Sequence, residues 1–317
     1  MTIYNQLLTT KNTKDSIKAS IIAKGGSVSA SDTFASYAGK ITNLPAGDSE
    51  LRAFINRNIE SYSSTDVTKV GDSAFRNCTN LTTVNFPNVT NIGNWAFYYC
   101  RKLSTFNVDF SNVDYIGAHA LEQCSNLTTA NFPNITNISA NAFYLCTNLT
   151  TINFPNITNI GAGAFYCTKL STANFSNVTN IDYDAFWYCT NLTTVNFPNV
   201  TNIGDSAFRD CTNLTTANFP KVARIDYYTF YNCTNLTTAN FPAAKIIYST
   251  AFQNCTNLKR LELGLNQVCS LTDVNAFSNS GVAAGTGYVY VPSDLVDSYK
   301  AASNWSTYAA QIKAIGG

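Results

Sequence analysis

Charge is scarce in this chain. Only 12% of its 317 residues are Asp, Glu, Lys or Arg, and the formal charge at pH 7 is +1. A nucleic-acid partner needs a clustered basic face, which this balance does not offer, so none is expected. Long hydrophobic runs are missing too. No apolar stretch approaches the roughly 20 residues that cross a bilayer as a helix, so membrane insertion is not expected. The opening residues Met1 to Leu8 lack a basic region followed by an apolar core. The expectation is synthesis in the bacterial cytoplasm without a cleaved signal peptide. Histidine occurs once, at His119, with Asp109, Asp114 and Glu122 nearby in sequence but no nucleophile motif beside it. No Cys-x-x-Cys, glycine-rich phosphate loop or nucleophile elbow occurs. The Asp182-Tyr-Asp184 triplet falls short of the roughly six to eight oxygens that calcium takes. No enzyme activity, metal or cofactor is expected.

What the chain has in quantity is repetition. A block beginning Cys-Thr-Asn-Leu-Thr-Thr, as at Cys189–Thr194, recurs with little change. Its cysteines are Cys78, Cys100, Cys124, Cys146, Cys167, Cys189, Cys211, Cys233 and Cys255, giving steps of 22, 24, 22, 21, 22, 22, 22 and 22 residues by subtraction. Such a period, with leucine at fixed offsets, marks a leucine-rich solenoid, whose repeats bury their apolar faces only by stacking. Nine cysteines share one phase. Equivalent side chains on stacked strands lie about 4.8 Å apart, against the roughly 3.8 Å between Cβ atoms in a disulfide. A ladder of reduced, buried thiols is therefore predicted. Cys269 lies off it, free or buried.

In the coil Cys189–Asp210, Leu192, Val195 and Phe197 occupy the apolar positions of a short strand, and Pro198 ends the ladder. Val200 and Ile203 turn inward, Gly204 permits the next bend, and Ala207 and Phe208 complete the buried set. The motif Ile92-Gly93-Asn94-Trp95-Ala96-Phe97-Tyr98-Tyr99-Cys100, with Leu103, resembles the BspA-type leucine-rich repeat, I-G-x-x-A-F-x-x-C. The resemblance covers roughly residues 65 to 260 and implies a β-rich solenoid from a family associated with adhesion. Two departures predict bulges: two extra residues around Val108-Asp109 in the third coil, and one residue missing before Cys167 in the fifth.

The expected organisation is a helical N-terminal module over 1–44, a linker over 45–50, a cap with a first partial repeat over 51–77, the solenoid of about nine 22-residue coils over 78–260, and a C-terminal cap over 261–317. In that cap Gly287–Pro292 reads as a strand. Ser293 is expected to cap a helix carrying Leu295, Val296 and Tyr299, with a second apolar stretch at Trp305, Tyr308 and Ile312. The stretch from Ala23-Lys24-Gly25 to Phe34-Ala-Ser-Tyr37-Ala-Gly-Lys40-Ile41, and the tail from Tyr288-Val-Tyr-Val-Pro292 through Tyr299 to Trp305, are similar to segments of proteins encoded by phages and prophages of Gram-positive bacteria, which implies a phage or prophage origin.

Comparing the coils with one another separates constant columns from variable ones. Thr83, Thr129, Thr151, Thr194, Thr216 and Thr238 barely change, nor do Asn85, Asn131, Asn153, Asn196, Asn218 and Asn240; they should form polar ladders on the strand face. Variation gathers around Ala-Phe. There stand Trp95, Tyr98, Tyr99, His119, Tyr144, Tyr166, Tyr183, Trp187, Tyr188, Tyr227, Tyr228, Tyr231 and Tyr248, the candidate ligand-binding residues. Tyr and Trp offer stiff, amphipathic contact area, and their faces suit sugar rings. The expected function is non-enzymatic recognition of a bacterial surface protein or glycan by a phage tail or fibre protein, virion-borne or extracellular. Residues 1–44 would attach to other tail proteins. A BspA-type bacterial surface adhesin and a passive spacer are the alternatives.

Overall fold

Every coil folds as two short strands joined by tight turns, and each strand hydrogen-bonds in parallel to its equivalent one coil away. The computed structural model describes residues 59–316, apart from 64, 66 and 107–111. The N-terminal module, the linker and Val108-Asp109 lie outside the described residues. The longer strands run from Ser61–Ser63 through Thr83–Asn85, Thr194–Asn196 and Arg260–Glu262 to Tyr288–Val291, with Ile312–Ala314 added at the end. The shorter ones run from Lys69–Val70 through Asn202–Ile203 to Ser270–Leu271. Together they make a parallel β-solenoid of about 11 coils.

Register follows from the copied repeat. Thr172, Ala173 and Asn174 pair with Thr194, Val195 and Asn196, so Thr and Asn face outward while the central residue is buried. A slip of one residue would turn every Val or Ala of the column to solvent. The outward polar groups are largely spent on one another. Thr193, Thr215 and Thr237 each donate a hydroxyl to a carbonyl one coil back. On the short strands, Asn202 donates to Asn180, Asn180 to Asn159 and Asn159 to Asn137, at 2.6, 2.6 and 2.7 Å.

Inside, the phenylalanine column is a ring stack broken once, where Leu121 replaces Phe between Phe97 and Phe143. Phe186 to Phe208 is 5.3 Å, Phe208 to Phe230 5.5 Å and Phe230 to Phe252 5.4 Å, with interplanar angles of 2, 4 and 7°. A second column, Phe197, Phe219 and Phe241, packs against the first. The thiols form a ladder of their own. Cys100, Cys124, Cys146, Cys189, Cys211, Cys233 and Cys255 each donate to the carbonyl of the column Phe or Leu one coil back, at 3.0 to 3.3 Å. Burial pushes the thiols of Cys124, Cys146, Cys189, Cys211, Cys233 and Cys255 up, Cys189 to about 12.

Cys167 is the exception, and here the sequence reading is corrected. The ladder position lies three residues after the column Phe, and after Phe165 that residue is Thr168, 2% exposed, with its hydroxyl 3.4 Å from Cys189 Sγ. Cys167 is displaced into the turn, half-buried at φ 58°. The missing residue therefore falls after the ladder position, where Thr168-Lys169-Leu170 does the work of Cys-Thr-Asn-Leu, and not before Cys167. Alkylation of the native protein at pH 8 should mark Cys167 well ahead of the other cysteines. Peptide mass spectrometry after brief iodoacetamide treatment would show it, and even labelling of all ten would refute the ladder.

Gly204 is explained by proximity, with no positive φ: a Cβ there would lie 2.5 Å from the Tyr183 backbone nitrogen. Beyond Cys255 the sequence repeat fades, yet coil geometry persists. Phe277 stacks on Phe252 at 5.7 Å, and Ser280 is buried in the thiol position. The open end of the stack is closed by aromatic side chains. Trp305 and Tyr308 cover Phe277, Tyr299 Oη accepts from the Cys269 amide, and Trp305 Nε1 donates to the Cys269 carbonyl. Cys269 is thus free and buried. The helix α1 spans Val296–Ala301 after a short 3-10 turn at Ser293–Leu295. Ser293 lies within that turn and is not a capping residue. The turn's N-cap is Pro292, which has no side-chain donor or acceptor to offer.

Candidate functional site

The variable positions lie on one edge of the solenoid, where the chain turns between the short strand and the thiol. In Gly204-Asp205-Ser206-Ala207-Phe208-Arg209-Asp210-Cys211, Ser206 and Asp210 both have φ 58°. The same two positions are left-handed in coil after coil: Trp95 and Tyr99, His119 and Gln123, Asp184 and Tyr188, Tyr228 and Asn232. A left-handed backbone is uncommon for residues other than glycine, and only Gly163 meets it here with glycine. Hydrogen bonds impose it. The amides of Trp95, Phe97 and Tyr99 donate to Ala118, Ala120 and Glu122 one coil on, at 3.0, 2.8 and 2.8 Å. Ala96 and Cys100 meanwhile close turns onto Gly93 and Phe97. With Ala and Phe pointing inward, the paired positions before Ala and before the thiol are left at the surface.

All thirteen candidate residues fall on this edge, eleven of them in three groups. In the first, Trp95 stacks on His119 at 5.2 Å, and His119 Nδ1 lies 2.5 Å from Glu122 Oε2. Nearby, Tyr98 and Tyr99 carry the guanidinium groups of Arg76 and Arg101 at 5.1 and 4.0 Å. The second is a row through consecutive coils. Tyr144 stacks on Tyr166 at 4.4 Å, Tyr166 meets Trp187 edge-on at 5.2 Å, and Arg209 lies over Trp187 at 4.7 Å. Arg209 also lies over Tyr231 and Tyr228, at 5.1 and 5.4 Å. Asp210 fixes the row by accepting from Trp187 Nε1 and Asn232 Nδ2 at 3.0 and 2.7 Å, with Arg209 Nε 3.4 Å away. In the third, Tyr227 packs on Tyr248, over which Arg224 lies while paired to Asp226. Tyr183 and Tyr188 stand apart, 55% and 50% exposed.

Electrostatically the edge is acidic in its C-terminal half. Burial raises the Asp184 carboxyl, with Arg209 opposing and Asp205 adding to the shift. Burial and then Asp226 raise Asp205. Tyr144 is raised by burial and by its neighbour Tyr166.

Residues 50–171, 131–237 and 179–286 match the BspA type leucine rich repeat region, in six copies. The chain belongs to the BspA-type leucine-rich repeat family. Among solved structures it is similar to a leucine rich cell surface protein of Faecalibacterium prausnitzii, at 21% identity over 80% of this chain and 91% of that one, TM-score 0.35. It is similar to a leucine-rich repeat protein of Bacteroides ovatus, at 21% identity over 65% and 79% of the two chains, TM-score 0.29. A third, from Eubacterium ventriosum, shares 19% identity over 75% and 88%, TM-score 0.35. Comparison with curated proteins returns no match.

In BspA-type terms, the x-x before Ala and the x-x before Cys are each a surface pair whose second member is left-handed. Aromatic residues alone therefore give an incomplete site. Arg209 and Glu122 occupy the same position as Tyr144, Tyr166 and Trp187 in their coils, and Asp210 the same position as Tyr188. Slot alignment within the chain would have found them. Tyr115, also exposed, stands instead on a short strand, in the asparagine column. The ring-face argument for sugars is also narrowed. In the central row Tyr144 and Tyr166 lie face to face and Arg209 lies over Trp187, so those ring faces are already taken. Tyr183 and Tyr188 make no ring contact among the described residues.

Proposed function

We propose that the turn edge is a non-enzymatic recognition face for a protein on a bacterial surface. The observation that carries it is the concentration of Trp95, Tyr183, Tyr188, Tyr227 and Tyr228, all well exposed, on one edge, while the strand face is Thr and Asn bonded to itself. Tyr, Trp and Arg locked by mutual contacts are the residues that dominate protein interfaces, and their immobility lowers the entropy lost on binding. A protein fits better than a glycan because faces in the central row that would stack on a sugar are already taken by a neighbouring ring or by Arg209. We place the chain on a phage tail or fibre, with residues 1–44 joining other tail proteins; the likeness of both ends to phage and prophage segments supports this. The adhesive association of the BspA family supports the second reading, a bacterial surface adhesin.

The repeat supplies its own safe substitutions, since other coils carry smaller residues at the same positions. Trp95→Ser, Trp187→Gln and Tyr188→Asn copy Ser73, Gln253 and Asn77. Combined, they should reduce binding of purified protein to intact Gram-positive cells at least tenfold with the fold retained, and glycan-array signals should be absent. Unchanged cell binding would overturn the recognition face. Strong glycan signals lost in the triple variant would transfer it to a sugar ligand. Antibody labelling of virions against host cells separates the two locations.

A further inference from the structure

Three times the protein lays a guanidinium on an aromatic ring and holds it there with a carboxylate. Arg209 lies over Trp187 with Asp210 at 3.4 Å, Arg224 over Tyr248 with Asp226 at 2.5 Å, and Arg260 over Tyr290 with Glu262 at 2.7 Å. In a fourth place a ring and a carboxylate stand in one column, and among the described residues no guanidinium or ammonium lies over that ring or forms a salt bridge with that carboxylate. Tyr183, Asp205 and Tyr227 occupy the same turn position in three successive coils: the Gly163 amide donates to the Tyr183 carbonyl, Asp184 to Asp205, and Ser206 to Tyr227. They thus form one column along the solenoid, a carboxylate between two tyrosines, each step one strand spacing of about 4.8 Å.

The nearby charges engage it only in part. The Asp205 carboxylate accepts from the Tyr227 amide and is attracted by Arg224, but Arg224 itself is paired to Asp226 and lies over Tyr248. Arg209 is enclosed by Trp187, Tyr228 and Tyr231. Asp182, whose Oδ1 accepts from the Tyr183 amide, Asp184 and Asp226 add negative charge around the column. Tyr183 is the most exposed aromatic side chain among the described residues, and Tyr227, packed on Tyr248, is still 43% exposed. A cation entering here gains two ring quadrupoles and a carboxylate together, the combination already used three times within the fold.

We propose that the Tyr183–Asp205–Tyr227 column seats a cationic side chain, an arginine or lysine, of the protein partner. The inference rests on the turn edge being the recognition face, and it names the chemistry of what binds: a basic protein surface meets the acidic C-terminal half of that edge.

Two substitutions isolate the column without disturbing the coil. Asp205→Asn copies Asn94 and Tyr183→Ala copies Ala118, residues the fold accepts at this position. The probe is a fluorescent dodecapeptide alternating Arg and Gly, with Gln replacing Arg in the control, titrated with the full chain and followed by anisotropy. The Arg peptide should bind, weaken as salt rises, and lose at least fivefold in affinity with either substitution; the Gln peptide should not bind. Asp297→Asn, on helix α1, should change nothing. Equal affinity of the Asp205→Asn protein, or equal binding of the Gln peptide, overturns the cation seat. The intact-cell assay separates the two claims. If the triple variant at Trp95, Trp187 and Tyr188 loses cell binding while Asp205→Asn keeps it in full, the recognition face stands and the cation seat falls.

Discussion

Raising the pH past about 9 under reducing conditions should unfold this protein in a steep transition, complete before about pH 10.5. Burial raises the thiols of Cys124, Cys146, Cys189, Cys211, Cys233, Cys255 and Cys269. Those of Cys189 and Cys269 are pushed up to about 12. In the unfolded chain a thiol titrates near about 8.5. Below that pH both states hold their protons and stability is constant. Above it the unfolded chain releases protons that the folded one keeps, so stability falls as pH climbs toward the folded values. Each thiol contributes roughly 1.4 kcal/mol per pH unit in that window, so seven together approach 10 kcal/mol per unit, comparable with a domain's whole stability. Far-UV circular dichroism against pH measures it. Replacing Cys189, Cys211 and Cys233 with Thr, as Thr168 already stands in the ladder, should move the midpoint upward. A fold that persists to pH 10.5 would show that the thiols are not shielded.

Phe208→Ala should cost about 3 to 5 kcal/mol, the usual range for emptying a buried aromatic site. Phe208 touches four other rings, Phe186 and Phe230 in its own column and Phe197 and Phe219 in the next. None of these can collapse into the void without leaving its own stack. Because coils are stabilised through their neighbours, a defect in the middle also weakens coupling between the two halves. Urea unfolding should show a lower midpoint and a broader transition, with the halves beginning to melt separately. A loss under about 1 kcal/mol would mean that the stack relaxes freely, against the close packing of these columns.

Much of this fold was legible because the chain contains its own alignment. The 22-residue step, the Leu and Phe columns, the buried thiols and the outward Thr and Asn ladders all follow from copying a unit that must stack. Cys167 was misplaced because residue identity was counted where position after the column Phe decides. The left-handed turn positions were hidden for a different reason: hydrogen bonds between coils impose that backbone, so Trp95, His119 and Tyr188 adopt it without the glycine that usually signals it. The candidate aromatics were picked out as variable slots around Ala-Phe, which the structure places along one edge, but how their rings meet was not legible. Whether a ring offers its face or its edge depends on the ring one coil away, and Arg209 and Asp210 enter only once that neighbour is known.

The central claim is that the turn edge, and not the strand face, meets the partner. Hydroxyl-radical footprinting of the protein bound to intact cells tests it directly, because aromatic side chains react readily when exposed. The expected result is protection of Tyr183, Tyr188, Tyr227 and Tyr228 on binding, with Tyr288 and Tyr290 on the strand face modified as in the free protein. Protection along the strand face, with the turn-edge tyrosines unchanged, would contradict the account.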